Sequence, residues 1–345
     1  MSRLVLPAAP GPTGGPAWAR LSRRHCLGAL LAGWVVPPAR AAAWPSRTVR
    51  LLVPFPAGGT ADVVARLLAE RLAAMLGQPV IVDPKPGANG IIASDAVAKA
   101  APDGHTLLLV SAAHASNVSL YAKLPYDSAR DFSPIALVAP PGPMVIAVHA
   151  GLPVHSVREL VQYAKAHPGE VAYGSAGIGN TLHLAGEMLG QMAGIKLLHV
   201  PYKGAAPALN DLAGGQVQMM FNSALAVASL VKEGRLRLIA QTGLKRSPTL
   251  PDLPTAAEAG LPGFEVTGWF GLMAPARTPA EVVQRLNAEV NRAMALPELR
   301  DKLALLGSSE APTLSPDGFA GFVKAETQRY AQVIKAAGLS LDAPG

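Results

Sequence analysis

The segment RLLVPFPAGGTADVVARLLAERLAAMLG, residues 50–77, leads from a short apolar run through an uncharged loop into a helical pattern. The loop has two prolines and two adjacent glycines, and apolar residues then recur at helical spacing over residues 60–76, until Gly77 ends the pattern. The first N–H groups of a helix have no partner within the helix and carry a partial positive charge. We therefore predict that the loop, residues 54–62, binds a small anion through its backbone.

Strand-like and helix-like segments alternate along the rest of the chain, which predicts an α/β fold with largely parallel sheets flanked by helices. Because the folded part has roughly 300 residues, it is too long for one doubly wound sheet, and we predict two lobes. The first lobe is discontinuous and comprises residues 44–143 and 243–345, whereas the second comprises residues 144–242. Two strands, residues 144–149 and 236–243, are predicted to cross between the lobes as the hinge.

Residues 1–43 differ from the rest of the chain in charge. They contain five arginines and no lysine, aspartate or glutamate, so the remainder carries only +2 of the formal net charge of +7. A nearly neutral balance points to no polyanionic partner, and we therefore expect no binding of nucleic acid.

The same segment has the organisation of a signal peptide. Paired Arg23 and Arg24 precede an apolar run at residues 26–36, which is too short to span a bilayer, and small residues follow it. We expect export to the periplasm, with cleavage near Ala41 or Ala43. The paired arginines fit a twin-arginine signal, and a Sec signal is an equal alternative.

Signatures of catalysis are absent from the sequence. Cys26 is the only cysteine and lies in the predicted signal peptide, so the mature chain would have no thiol, no disulfide and no cysteine-bound metal. The chain has no G-x-S-x-G motif, no phosphate-binding P-loop and no H-E-x-x-H motif, and no nucleophile is visibly paired with a base. We expect a binding protein rather than an enzyme, with no metal and no cofactor.

A second glycine-rich loop, YGSAGIGNTLHLAGE at residues 173–187, also leads from a strand into a helix and lies in the other predicted lobe. Ligands of open α/β sheets bind beyond the carboxyl ends of strands. A single loop of this kind is often only a tight turn, but one in each lobe predicts a cleft that holds a polar group from both sides. The predicted ligand-binding residues are Phe55, Ala57, Gly58, Gly59, Asp62, His114, Ser175, Gly179, Asn180, Thr181, His183, Lys203 and Asn222.

Several residues near the predicted cleft have an ordinary structural alternative. Asp62 in the first helical turn stabilises the helix dipole, and we slightly favour that role over ligand contact because it would repel an anion. Lys203 could contact the ligand or be a solvated lysine, and His114 could face the cleft or belong to a helix cap. Trp269 and Phe270 could line the pocket or pack in the core.

Several motifs together carry a family resemblance over residues 44–342. They include PFPAGGTAD (54–62), KPGANG (85–90), YGSAGIGNTLHLAGE (173–187), VPYKG (200–204) and WFGLMAPARTPAEVVQRLN (269–287). With these motifs the chain resembles the extracytoplasmic solute receptors of the tripartite tricarboxylate transporter group, also called Bug-type receptors.

The resemblance implies a two-lobed periplasmic binding protein, type II-like, with two crossover strands as its hinge. It implies a monomeric receptor that binds a small carboxylate between its lobes, closes around it and presents it to the permease subunits of a tripartite tricarboxylate-type transporter. A receptor that signals to a membrane sensor kinase is an alternative, and a hydrolase with an unrecognised site is a third.

Overall fold

The computed structural model describes residues 44–304, 313–336 and 338–340. The predicted signal peptide, with Cys26 and both candidate cleavage sites, lies outside these residues. Within them the strands form two sheets of five. None of the helices in these ranges is long and apolar enough to cross a membrane.

The first sheet consists of β1 (Val49–Val53), β2 (Val80–Pro84), β3 (Thr106–Ser111), β4 (Phe132–Pro143) and β10 (Thr267–Pro275). Its strand order is β2-β1-β3-β10-β4. β1 is parallel to β2 and β3, whereas β10 is antiparallel to both of its neighbours. Because β1 and β3 are parallel and adjacent, the loops that follow them lie side by side at one edge of the sheet.

The second sheet consists of β5 (Val145–His149), β6 (Ala172–Ser175), β7 (Leu198–Pro201), β8 (Met219–Asn222) and β9 (Leu236–Gln241). Its order is β7-β6-β8-β5-β9, with β6 parallel to β7 and β8, and β5 antiparallel to β8 and β9. Each sheet thus has one strand that runs against its neighbours, and its other four strands run in the same direction.

Helices cover the sheets and connect their strands. In the first of them Val64, Leu68 and Leu72 are buried, which is the one-sided spacing expected of an amphipathic helix. The helices are α1 (Thr60–Leu76), α2 (Ile91–Ala98), α3 (Ala112–Leu120), α4 (Val157–Ala166), α5 (Thr181–Ala193), α6 (Ala205–Ala213), α7 (Ala224–Lys232), α8 (Ala280–Met294), α9 (Pro297–Ala304) and α10 (Pro316–Ala336).

β4 is a strand of the first sheet that the sequence pattern did not predict, because the segment is rich in proline. β4 contains Pro134 and Pro143, and a central strand would not tolerate these residues. β4 nevertheless forms because it lies at the edge of the sheet, where one side needs no ladder partner, and its register against β10 shifts at three points.

Each sheet has its own buried core, and we call each sheet with its packed helices a lobe. The segment that follows β9 packs on the second core, where Ala256, Leu261 and Phe264 are buried. It also pairs with β9 through a bridge between Gln241 and Thr255. The second lobe therefore extends to about residue 266, although the sequence prediction ended it at residue 242.

Thr242 joins the two chain segments that cross between the lobes. Its hydroxyl accepts from the amide of Met144 at 2.8 Å and donates to the carbonyl of Val266. The amide of Val266 in turn donates to the carbonyl of Thr242 at 3.0 Å. The predicted crossover strands, 144–149 and 236–243, form β5 and β9 side by side in the second sheet. The chain crosses between the lobes at Met144 and at Val266, the two residues to which Thr242 is bonded.

Candidate functional site

A cavity of about 110 Å³ lies between the two lobes. Its polar part is formed by the starts of α1 in the first lobe and of α5, α6 and α7 in the second, and its other part by residues of the crossover and of β10, including Met144, Gly268 and Phe270. We call this the inner cavity. A second cavity of about 220 Å³, the outer cavity, adjoins it and shares Gly59, Thr60, Ala205, Asn222 and Ser223. The Oγ1 of Thr60 and the Oγ of Ser223 are 3.2 Å apart, which links the lobes at these shared residues.

The helix starts at the cavity differ in their caps. The N-cap residues of α1 and α6 are Gly59 and Gly204, and no side chain among the described residues caps either helix. By contrast, Asn180 accepts from the amide of Leu182 at the start of α5. The free first-turn amides of α1 and α6 therefore remain available to an anionic ligand.

The loops that precede α1 and α6 touch across the cleft. Gly204 has a φ of 148°, and a Cβ added to it would lie 2.7 Å from Cδ of Pro56. Only glycine permits this approach without displacement of one loop. The structure therefore pairs the start of α1 with the start of α6, whereas the sequence paired it with the start of α5.

The residues predicted around α1 have different roles in the structure. Phe55 and Gly59 line the inner cavity, but the amide of Gly58 donates to Oδ2 of Asp62 at 3.1 Å and is not free for a ligand. Arg66 donates to the same oxygen at 2.9 Å. Burial raises the pKa of Asp62, but the hydrogen bonds from Arg66 and Gly58 outweigh burial and hold that pKa below its usual range. Asp62 is thus a loop-stabilising carboxylate, in line with the favoured interpretation.

The loop at residues 173–187 uses most of its polar groups internally. The amide of Gly179 donates to Nδ1 of His183 at 3.0 Å, so it does not bind a ligand. Asn180 and Thr181 line the inner cavity, whereas Gly179, His183 and Ser175 line neither of the two cavities.

Ser175 and His199 form a close pair that the sequence did not predict. The Oγ of Ser175 is 2.6 Å from Nε2 of His199, so the expectation that no nucleophile meets a base was wrong. Ser175 is fully buried, however, and its hydroxyl also accepts from the amide of Gly177. Burial and the neighbouring His183 lower the pKa of His199 to about 4. Ser175 and His199 thus hold the glycine-rich loop through hydrogen bonds, and neither residue lines the inner or the outer cavity.

Three other predicted residues lie away from both cavities. His114 is buried against Tyr126 and Phe132, with ring centroids 6.0 and 5.2 Å away. Ala57 and Lys203 are exposed on the loops before α1 and α6. Lys203 is therefore a solvated lysine, and His114 is a core residue of the first lobe.

Three cavity residues that were absent from the predicted set lie at helix starts, two of them directly after a glycine and the third after Asn222. Thr60 and Ala205 are the first residues of α1 and α6, and Ser223 caps α7. The signal for the start of α6 is present in VPYKGAAP, where the glycine after a strand is followed directly by a helix. Of the predicted set, Gly58 lines the outer cavity and Asn222 lines both.

The cavities have an unusual charge pattern. Within the described part of the chain, neither is lined by an aspartate, glutamate, lysine, arginine or histidine. The same part of the chain contains no group of three histidines, cysteines or carboxylates placed to hold a metal ion. The lining therefore offers an anion neutral donors and backbone dipoles rather than charged side chains.

Comparison with known proteins agrees with this geometry. Residues 64–339 match the tripartite tricarboxylate transporter family receptor, TctC. The chain belongs to this family. Its members are solute-binding receptors and not enzymes, as the sequence led us to expect.

Solved structures of family members are close to that of this receptor. The Rhodopseudomonas palustris protein Rpa4515, solved with adipate, superposes with a TM-score of 0.83 at 40% identity, over 86% of this chain and 100% of its own. The periplasmic binding protein BugD gives 0.82 at 40% identity, over 86% and 100%. MatC from Rhodopseudomonas palustris, solved with malate, gives 0.79 at 36% identity, over 84% and 100%. The receptor thus has the predicted periplasmic binding protein fold.

Proposed function

We propose that this receptor binds a small carboxylate between its lobes and delivers it to the membrane permease of a tripartite tricarboxylate-type transporter. The observation that carries the proposal is the meeting of two helix starts without side-chain caps, those of α1 and α6, one from each lobe, at a cavity without charged side chains. Free helix amides bind carboxylates well because the dipole and the N–H groups both favour an anion. Relatives of this chain have been solved with adipate and malate.

Closure of the lobes completes the site. In the structure Ser116 of the first lobe donates to the carbonyl of Gly179 in the second at 3.2 Å, and Leu184 of α5 is buried in a cluster of the first lobe. These contacts join the lobes in addition to the crossing segments at Thr242. A hinge motion that separates them would admit and release the ligand.

Delivery requires that the receptor be in the periplasm and that a permease recognise its loaded form. The predicted signal peptide and the family support this location. The partner is tested by a pull-down in which the mature chain, with or without ligand, captures proteins from native membranes. Recovery of permease subunits would support a role in transport. Recovery of a sensor kinase instead would show that the receptor acts in signalling and not in transport.

The binding step is tested by thermal unfolding of the mature chain, residues 44–345, after removal of co-purified ligand by unfolding and refolding. A panel of mono-, di- and tricarboxylates is added to the refolded protein. An acid present at a hundred times its dissociation constant should stabilise the fold by about 2.7 kcal/mol. A folded protein that no acid stabilises would refute carboxylate binding. Mass spectrometry of ligand released from natively purified protein would identify the physiological acid.

A further inference from the structure

Gly179 of the second lobe packs directly against the first lobe. Its carbonyl accepts from the hydroxyl of Ser116 in α3 at 3.2 Å, and the same hydroxyl lies 3.1 Å from the carbonyl of Ala113 in its own helix. A Cβ on Gly179 would be 2.6 Å from Cδ1 of Leu120 and 3.4 Å from Nδ2 of Asn89. We call this set the Gly179 contact. Because its partners belong to the other lobe, the contact exists only while the lobes are together.

Within its own lobe Gly179 is held by His183. The amide of Gly179 donates to Nδ1 of His183 at 3.0 Å. A neutral imidazole has one acceptor nitrogen, so its proton is on Nε2, which lies 3.6 Å from Oε1 of Glu187. A protonated imidazole has a proton on both nitrogens and accepts no hydrogen bond. The position of Gly179 therefore depends on the charge of His183.

In the part of the chain that the structure describes, three titratable groups face His183, one from each element of its lobe packed around the ring. Glu187 follows on α5, and Tyr173 of β6 donates to Oε1 of Glu187 at 2.6 Å. His199 of β7 stacks on His183 with ring centroids 4.0 Å apart and an interplanar angle of 24°. The groups that face the loop from the first lobe, Ser116, Leu120 and Asn89, are uncharged.

These neighbours act on His183 in opposite directions. The hydrogen bond from His183 and that from Tyr173 outweigh burial and hold the pKa of Glu187 below its ordinary range, so a carboxylate stands beside the imidazole and favours its charged form. The amide of Gly179 favours the neutral form, because it needs an acceptor. Burial, together with His183, lowers the pKa of His199 to about 4, so His199 stays neutral above about pH 5 and does not compete for the proton.

We propose that His183 positions Gly179 for closure, and that protonation of His183 releases the Gly179 contact so that the lobes open as the pH falls. The closed form requires a neutral His183, whereas the open form can bind a proton there. The closed form is therefore favoured most at high pH, and its ratio to the open form falls by up to about tenfold per pH unit once the open form binds the proton. The release does not depend on which ligand is bound, so it goes beyond the proposed function.

Closure is measured by energy transfer between two dyes on introduced cysteines, since residues 44–345 contain no cysteine of their own. The labelled sites are Lys123→Cys in the first lobe and Lys203→Cys in the second, both exposed. Each is within three residues of an inter-lobe contact, at Leu120 and Gly204 respectively. In the mature chain without ligand, the transfer efficiency should fall as the pH is lowered from about 8 to about 5, the range in which histidine titrates.

Three variants assign the effect. His183→Asn keeps an oxygen acceptor in place of Nδ1 but does not titrate, so its transfer efficiency should stay high throughout. Glu187→Gln removes the charge that favours the protonated imidazole and should move the midpoint of opening to lower pH. His155→Gln, at an exposed position of the same lobe, should behave like the wild type. Circular dichroism of each variant establishes that it is folded. Equal pH dependence of the wild type and His183→Asn, or none in the wild type, would overturn the proposal.

A second measurement needs no variant. In NMR spectra of the wild-type mature chain, the imidazole signals of His183 and the amide signal of Gly179 should change with one common midpoint between about pH 5 and pH 8. A His183 that does not titrate in this range, or a Gly179 amide that does not respond to it, would overturn the proposal. Either result would leave carboxylate binding intact, because the thermal unfolding experiment tests binding separately at a fixed pH.

Discussion

Gly204 of the second lobe lies directly against Pro56 of the first, so close that a Cβ on Gly204 would be 2.7 Å from the proline Cδ. This contact brings the starts of α1 and α6 to opposite sides of one cavity. It also makes closure dependent on the absence of a single methyl group, because the two loops cannot approach further without collision.

The first prediction concerns this contact. Gly204→Ala should hold the lobes apart and weaken carboxylate binding by about tenfold or more, since the free amides of α1 and α6 would no longer converge. Gly194→Ala is the matched control, because Gly194 is in the same lobe and also has a positive φ, but a Cβ there would meet nothing within 4 Å. Calorimetric titration of both variants with the same acid measures the difference. Equal affinities would show that the Gly204 contact does not control closure.

The second prediction concerns the hinge. Thr242→Val keeps the shape of a fully buried side chain but leaves the amide of Met144 without its acceptor. The free energy of unfolding should fall by about 1–3 kcal/mol, which denaturant titration would measure. Thr242→Ser restores the hydroxyl and should recover most of the loss. A valine variant as stable as the wild type would mean that the crossing segments are held by packing alone.

The order of strands and helices could be predicted largely from the sequence, since the apolar periodicity of α1 and the buried run of β1 are local signals. β4 could not, because Pro134 and Pro143 contradict strand propensity and only its position at a sheet edge makes them acceptable. The lobe to which residues 243–266 belong could not be predicted either, because the local sequence pattern does not indicate which of the two cores a loop packs on.

The candidate site was predicted in part: Asn180, Thr181 and Asn222 of the second lobe line the inner cavity together with Gly59 of the first. The start of α1 is where the sequence placed it, because a glycine N-cap is visible in PAGGT. Gly179 was predicted to bind the ligand as well, but its amide donates to Nδ1 of His183, four residues further on. Asn180 is a typical N-cap residue, and its side chain accepts from a first-turn amide of α5. Gly204 has no side chain to do the same, so the first-turn amides of α6 are free.

The third prediction concerns acid stability. Burial lowers the pKa of His114 from 6.5 to about 4, so between these values the unfolded chain binds a proton that the folded chain does not. The stability that neutral His114 provides is complete above pH 6.5 and is lost as the pH falls toward 4, by up to roughly 3 kcal/mol. His114→Phe should remove this part of the pH dependence in denaturant titrations, and His155→Gln at an exposed position should not. A phenylalanine variant with an unchanged slope would contradict the prediction.

The fourth prediction uses two glycines of one strand. A Cβ on Gly268 of β10 would meet nothing within 4 Å, and this residue lines the inner cavity. Gly268→Val should therefore fill space that the ligand needs, so that the affinity for the bound acid falls while the melting temperature of the ligand-free protein stays unchanged.

Gly271 of the same strand provides the contrast. A Cβ there would lie 2.1 Å from Cζ of the buried Phe319, so Gly271→Val should overpack the core of the first lobe and cost about 1–3 kcal/mol of stability. The two variants add the same side chain three residues apart on β10, one toward the cavity and one toward the core. Loss of binding with retained stability at Gly268, together with loss of stability at Gly271, would locate the ligand in the inner cavity. Unimpaired binding by Gly268→Val would place the ligand elsewhere, with the outer cavity between α1, α6 and α7 as the alternative.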